Sequence, residues 1–486
     1  MNTTIKHITI MGSGIELYMT AAILSVALLP FGINIKVLAL PTTDVDALVE
    51  TTGPEFSALC NILGLVERDV VRQCYGTFRL GSRYLANHHD WFVPFAHLGL
   101  KAQQDDFEQG LFQVLKPTNI NNLNPWSPAS SAAMSGKFAI AGKDRPDLQQ
   151  ALDYGVHLDA AQYRQILATL CQKQGVEWRE LTSSSLQVDR DDLGNIGTVV
   201  VDGNPIKADF WFDLRAGRSH IAWQDWQSYL PVTFYAQWQA LPTQTLSPYS
   251  QLQQLQGGWV KTSPLQNGKV VQVFSHQKQC DLAQIEQQLI TLGLAPQSTI
   301  SWKAVRCHVL ESPWQGNCLS LGEAAIDLGG LVFSKLQCVQ TALVQFIDLF
   351  PDLPIGEHNR QHYNNVWQCF VQDALDFSAA HYLPQSTSYS NCLNDLPKSL
   401  WQRLQLFERL GRLTPMHSDA VSESQWYHLL FGLGLRPQLN SVVLSSMTEQ
   451  QVQSATQQVK QSIAALVAGM PSHEQYLARF YPPLNQ

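Results

Sequence analysis

The stretch Ile8-Thr9-Ile10-Met11-Gly12-Ser13-Gly14-Ile15-Glu16-Leu17 decides the fold. A β-branched apolar run ends in two glycines one residue apart, and an apolar stretch over 19–29 follows before Pro30. This order predicts strand, tight turn and helix, because glycines let the chain reverse sharply and the run behind them has helical length.

Such a unit opens a dinucleotide-binding fold, in which the turn approaches a pyrophosphate and the helix N-terminus offers unpaired N–H groups. Two residues depart from that pattern. Leu17 stands at the third glycine of the fingerprint, and Glu16 puts a carboxylate where a phosphate would lie. Two like charges about 6 Å apart repel by about 3 kcal/mol at an effective dielectric near 20, so an ionised Glu16 facing a pyrophosphate would weaken it about a hundredfold. The second strand, over 34–40, ends at Ala39 and Leu40, without the acid that would hold ribose hydroxyls. Taken alone, the turn is equally compatible with no ligand.

The chain has 486 residues, enough for two or three domains or one elaborated one. A net charge of -8 with both signs dispersed provides no basic stripe and argues against nucleic acid. The run 21–31 reads as too short to span a bilayer, and no signal-peptide pattern precedes it, so the expected location is the cytoplasm. Nine scattered cysteines read as reduced core residues. No metal site is expected: His88 and His89 are adjacent and point to different sides of an extended chain.

Further along, Glu50 reads as a carboxylate at a helix start, ahead of a helix over 56–65, and 77–84 reads as one strand. Asp159 is placed to cap a helix over 160–174 that Gly175 stops. Hairpin turns at 191–194 and 202–203 and the alternation over 269–275 predict mixed sheet in the middle. A strand over 317–321 delivers Gly322-Glu323 into a turn, a second candidate ribose or phosphate site, before a helix over 335–350. From 357 onward the pattern is helical, over 359–382, 396–410, 423–433 and 449–468. The fold class is α/β.

These segments, in this order, resemble the flavin-dependent tryptophan halogenases, a branch of the FAD monooxygenase fold. The anchors are Gly12-Ser13-Gly14, Glu50-Thr51-Thr52 where the family has Gly-Glu-Ala-Thr, Thr77-Phe78-Arg79-Leu80-Gly81 where it has Thr-Phe-Lys-Leu-Gly, and the stretch from Asn317-Cys318 to Ala325. Asp213 with Arg218-Ser219, Asn359-Arg360, Asp373, Phe377, His381 and Tyr382 add to it. The resemblance implies a Rossmann-like FAD box with mixed sheet over 1–355 and a helical pyramid over 356–486. It also implies FAD reduced by a separate flavin reductase, contacts to FAD from Gly12, Ser13, Gly14, Glu50, Gly322 and Glu323, and a small aromatic substrate.

The same resemblance locates the departures. Arg79 stands at the family's lysine and keeps its charge but not its ability to become a neutral amine. Val332 stands at the family's glutamate and has no acid–base chemistry, and Ser334, two residues on, is placed with Arg79 and Val332 as a candidate catalytic position. The family's Trp-x-Trp-x-Ile-Pro stretch is Trp259-Val260-Lys261-Thr262-Ser263-Pro264 here. Two readings follow: an FAD-dependent oxidoreductase or monooxygenase acting on an aromatic compound without competent halogenation, or a non-catalytic paralogue that binds an aromatic ligand or an active family member, alone or in an oligomer.

Overall fold

The computed structural model describes the chain apart from residues 1–3, 42–46, 87–88, 101–106, 117, 119, 121, 142–147, 149–150, 183–185, 192–193, 216–222, 242–244, 277–280, 384–395, 416, 439–447 and 485–486. The strand His7–Gly12 lies inside a six-stranded sheet, paired in parallel with Asn34–Ala39 on one side and Phe210–Asp213 on the other. Cys318–Ser320 continues the sheet in parallel beyond Phe210–Asp213. Strands covered on both faces need apolar residues at every position, which is why 8–12 are uniformly buried.

The helix Gly14–Leu28 packs against the helices Ala160–Gln174 and Lys335–Asp348. Its sequence corrects one expectation: the stretch Gly14–Phe31 is long and apolar enough to cross a membrane by length and composition. Ten of the helix's side chains are buried within the protein, among them Leu17, which is 1% exposed. Apolar character on most sides is what a helix between a sheet and two other helices requires.

A seven-stranded mixed sheet forms the second layer, in the order Lys303–Ala304, Phe234–Ala240, Gly268–Ser275, Gly258–Leu265, Ser250–Leu255, Gly81–Ala86, His89–Pro94. Only the pairing of Ser250–Leu255 with Gly81–Ala86 is parallel. Alternation divides its faces: Val260, Val271 and Val273 pack on the helix Leu282–Thr291, while Lys261, Gln272 and Phe274 face a cavity.

Two local expectations change here. Glu50 does not start a helix; it sits in the strand Val49–Thr51, opposite Leu158 of Gly155–Asp159. The segment 77–84 is two strands in different sheets, because Thr77–Arg79 pairs with Gly155–Asp159 and the chain then turns at Leu80, whose N–H donates to the Pro248 carbonyl at 2.8 Å. The helix expected over 56–65 is Phe56–Ile62, followed by a second helix, Glu67–Gln73. By contrast, Asp159 caps Ala160–Gln174 by accepting from the Gln162 N–H at 3.0 Å, and Gly175 ends that helix at φ +79°.

The C-terminal helices are Glu357–Ala380, Lys398–Leu410, Glu423–Gly432 and Glu449–Ala468, with an unanticipated short helix, His473–Phe480. One hydrophobic cluster joins Leu24, Phe78, Trp259, Trp426 and Leu477. The seven described cysteines are free; Cys280 and Cys392, like His88, lie outside the described residues.

Candidate functional site

The parallel strands of the six-stranded sheet end at a common edge, and a cavity of about 440 Å³ opens there. Gly12, Leu40, Leu214 with Arg215, and Gly322 with Glu323 each follow or finish one of these strands, and all line it. The crevice beyond the carboxyl ends of parallel strands is where open α/β sheets bind ligands.

The turn at the base of the cavity is built for a reason independent of any ligand. A Cβ on Gly12 would lie 2.7 Å from Leu214 Cβ, so the neighbouring strand alone demands glycine, and Gly14 has φ +76°. Ser13 occupies the N-cap position without a side-chain cap hydrogen bond, which leaves the first N–H groups of the helix facing the cavity. Glu16 lines the same end, with its Cβ and Cγ 3.9 Å from the place a Cβ on Gly322 would occupy. Leu17 turns into the core, so of the two fingerprint departures only Glu16 meets the cavity.

Opposite the turn stand Glu50 and Lys261. Glu50 is 5% exposed and its carboxyl is pushed up to about 8, mainly by burial and then by the Glu16 charge, against Lys261 and Lys335. Lys261 is 4% exposed; its Nζ donates to Thr51 Oγ1 at 3.5 Å, and no carboxylate of a described residue lies within 4.0 Å of it. Burial, then the Arg79 charge, push its ammonium down to about 7, against Glu50. Several other cations of the wall are paired: Arg215 with Asp213 at 2.6 Å, Lys335 with Glu323, and Lys303 with Glu323 at 3.9 Å. Asp327, which accepts from the Gly329 N–H at 2.8 Å, is pushed up to about 6 by burial.

Gly12, Ser13, Gly14, Glu50, Gly322, Glu323 and Ser334 therefore meet in one cavity. Ser334 also caps Lys335–Asp348, accepting from the Gln337 N–H at 3.1 Å. Arg79 and Val332 stay outside its lining. Arg79 is 7% exposed and held on three sides: one terminal nitrogen donates to the Thr52 carbonyl at 3.0 Å, the other to Ser82 Oγ at 3.0 Å, and the Phe95 ring lies 4.8 Å from the guanidinium carbon. Burial lowers its proton affinity to about 10, so it remains charged at neutral pH. Val332 is half-buried against the main core.

Phe274 is shared with a second cavity of about 430 Å³, whose aromatic wall includes Trp259, His381 and Tyr382. His381 is held there by a 2.9 Å hydrogen bond between its Nε2 and the Tyr84 hydroxyl. Asp373 is structural: it accepts from Arg403 at 3.2 Å and from the His417 and Ser418 N–H groups at 2.8 Å each. Arg360 donates to the Ile355 carbonyl at 3.1 Å, and Arg218 and Ser219 lie outside the described residues.

Sequence reasoning missed Lys261, Lys335, Arg215 and Asp327 as parts of the cavity. A signal existed for Lys261, the lone charge in the run 258–265, whose other members are uncharged. The free helix N-terminus, the cations and the aromatic side chains of Tyr235 and Phe274 fit an elongated ligand with an anionic middle and an aromatic end, as FAD has.

Residues 7–449 match the tryptophan halogenase family. Tryptophan 6-halogenase ThaL of Streptomyces albogriseolus is 24% identical over 424 residues, 79% of this chain and 77% of that protein. Two solved structures superpose over nearly the full length: BrvH, a flavin-dependent halogenase from Brevundimonas sp. BAL3, with TM-score 0.88 and 21% identity, covering 98% of this chain and 99% of that one, and Xcc4156, a flavin-dependent halogenase from Xanthomonas campestris, with TM-score 0.89 and 21% identity, covering 99% and 100%. With the match spanning most of its length, the chain belongs to the tryptophan halogenase family.

Proposed function

We propose that the chain binds FAD in the 440 Å³ cavity and acts as an FAD-dependent oxidoreductase of the monooxygenase type on a small aromatic compound, without transferring halogen. The observation that carries this reading is the state of Arg79: a buried, permanently charged guanidinium with both terminal nitrogens bonded and Phe95 beside it. It offers no neutral amine to carry an oxidised halogen. Val332 supplies no acid at the second position.

In this proposal the helix N-terminus at Ser13-Gly14 receives the diphosphate, Gly322 and Glu323 approach the ribose, and Glu50 and Lys261 border the ring. FAD supplies two-electron redox chemistry and oxygen activation when bound, with electrons from a flavin reductase. The protein orients the ring and keeps water from the sheet floor, and the second cavity takes the aromatic compound against Trp259 and His381. A cytoplasmic location belongs to the same proposal.

Reconstitution followed by turnover tests it. The protein should take up FAD one to one and, given reduced FAD, oxygen, bromide and tryptophan or indole, yield no brominated product by mass spectrometry. Absence of binding at high micromolar FAD, or a brominated product, would overturn it. The second reading, a non-catalytic paralogue, is favoured by Glu16 and the Lys335–Glu323 pair, which place the chain's own charges at the phosphate end. Co-purification of a flavin-free form with an active paralogue would support that reading.

A further inference from the structure

Among the described residues, Lys261 is the cavity cation that sits in the middle of a sheet. Its strand, Gly258–Leu265, is flanked on both sides, with Gln272 and Leu252 as its direct cross-strand neighbours, and the side chain is 4% exposed where it lines the cavity. Its charged and titratable surroundings come from several elements. Glu50 faces it from Val49–Thr51, Arg79 from Thr77–Arg79, and His157 from Gly155–Asp159. Glu16 and Lys335 act on Glu50 from the cavity's other end. Of these, Arg79 stays charged. His157 is fully buried between Thr77 Oγ1 at 2.9 Å and Ser250 Oγ at 2.8 Å, and burial holds it well below its ordinary range, so it stays neutral. The amine's one hydrogen bond is to Thr51 Oγ1 at 3.5 Å, no described carboxylate lies within 4.0 Å of it, and Glu50, itself pushed up to about 8, only partly offsets the burial and the Arg79 charge.

Resting on the FAD reading above, we propose that Lys261 takes up a proton when the bound flavin is reduced, so that reduction consumes two protons and not one. The balance is simple. The oxidised ring gains two electrons from an external donor and one proton from water, which leaves it a monoanion above neutral pH; the second proton goes from water to the Lys261 amine, turning –NH2 into –NH3+. The new cation on Lys261 would then share one cavity with the new anion. Before reduction the amine lacks that partner, and burial and Arg79 together push its ammonium down to about 7.

The test is the midpoint potential of the FAD complex against pH, poised with dithionite and a reference dye, after a titration has established that FAD binds. Each proton per two electrons changes the equilibrium tenfold per pH unit, about 30 mV. Between pH 7.5 and 8.5 the wild-type potential should fall by about 60 mV per unit, and that of K261M by about 30 mV. K261R, whose charge is permanent, should also show the shallow slope, with a potential at pH 8.5 no lower than wild type; it answers the question even if K261M fails to fold. E50Q should keep the steep slope. A wild-type slope of about 30 mV, or a steep slope retained in K261M and lost in E50Q, overturns the proposal with the FAD reading intact. Failure of the wild type to bind FAD overturns both.

Discussion

A single carboxylate sets how well the cavity receives an anion. Glu16 lines the helix end from which the diphosphate would accept N–H bonds, and at about 6 Å its repulsion reaches about 3 kcal/mol at an effective dielectric near 20. Because the residue is half-buried, solvent screening trims this, and E16Q should tighten FAD binding about tenfold or more in a fluorescence titration. Unchanged affinity would show that the carboxylate turns away from the ligand. Leu17 behaves differently. It is packed in the core, so L17A should cost about 2–5 kcal/mol in urea unfolding and leave the FAD affinity of the folded protein unchanged. The sequence presented both residues as damage to one fingerprint. Only their opposite directions around the helix separate a ligand effect from a packing effect, and a turn motif does not carry that information.

At the scale of elements, the three-stranded sheet buries a carboxyl that the sequence alone places at a helix start. Glu50 titrates near 4.5 when exposed and near 8 in the fold, so folding takes up a proton between those values. A raised carboxyl pKa means stability is full below pH 4.5 and is lost as pH rises toward 8. E50Q should therefore match the wild type at pH 4.5 and exceed it by a few kcal/mol at pH 8, the ceiling being about 1.4 kcal/mol for each tenfold change in proton affinity, as read by urea denaturation at both values. Equal stability at both values would mean that the carboxyl is solvated. The linkage for Lys261 has the opposite sign, because its proton affinity is lowered and stability falls as pH drops from 10.5 toward 7. The strand–turn–helix opening and the later helices were legible because periodicity and caps are local, as at Asp159 and Gly175. Glu50 and the break at Leu80 were not, since each depends on a strand more than seventy residues away.

The cavity belongs to the whole molecule more than to any part of it. Its wall takes Gly12 to Glu16 from the parallel sheet and its helix, Glu50 from the three-stranded sheet, Lys261 from the seven-stranded sheet, and Lys335 from a helix start. Lys261 shows in the sequence only as a lone charge within 258–265; its place in the site was not legible, because three sheets must assemble before it faces the cavity. The hydrophobic cluster behind that wall extends without interruption from Leu24 to Trp426 and Leu477, so the helices beyond 356 share their apolar contacts with the α/β part. Long chains tend to unfold in steps, but steps require a boundary across which few apolar contacts pass. A shared core predicts a single transition: tryptophan fluorescence, drawn from 13 residues across the chain, and far-ultraviolet circular dichroism should give one urea midpoint. FAD at a hundred times its dissociation constant should then raise the unfolding free energy by about 2.7 kcal/mol and move both signals together, because the wall it binds exists only when all of these elements are in place. Two separated midpoints, with FAD moving only the earlier or the later one, would show that the helical part folds independently of the cavity and that the division at 355 and 356 is a true domain boundary.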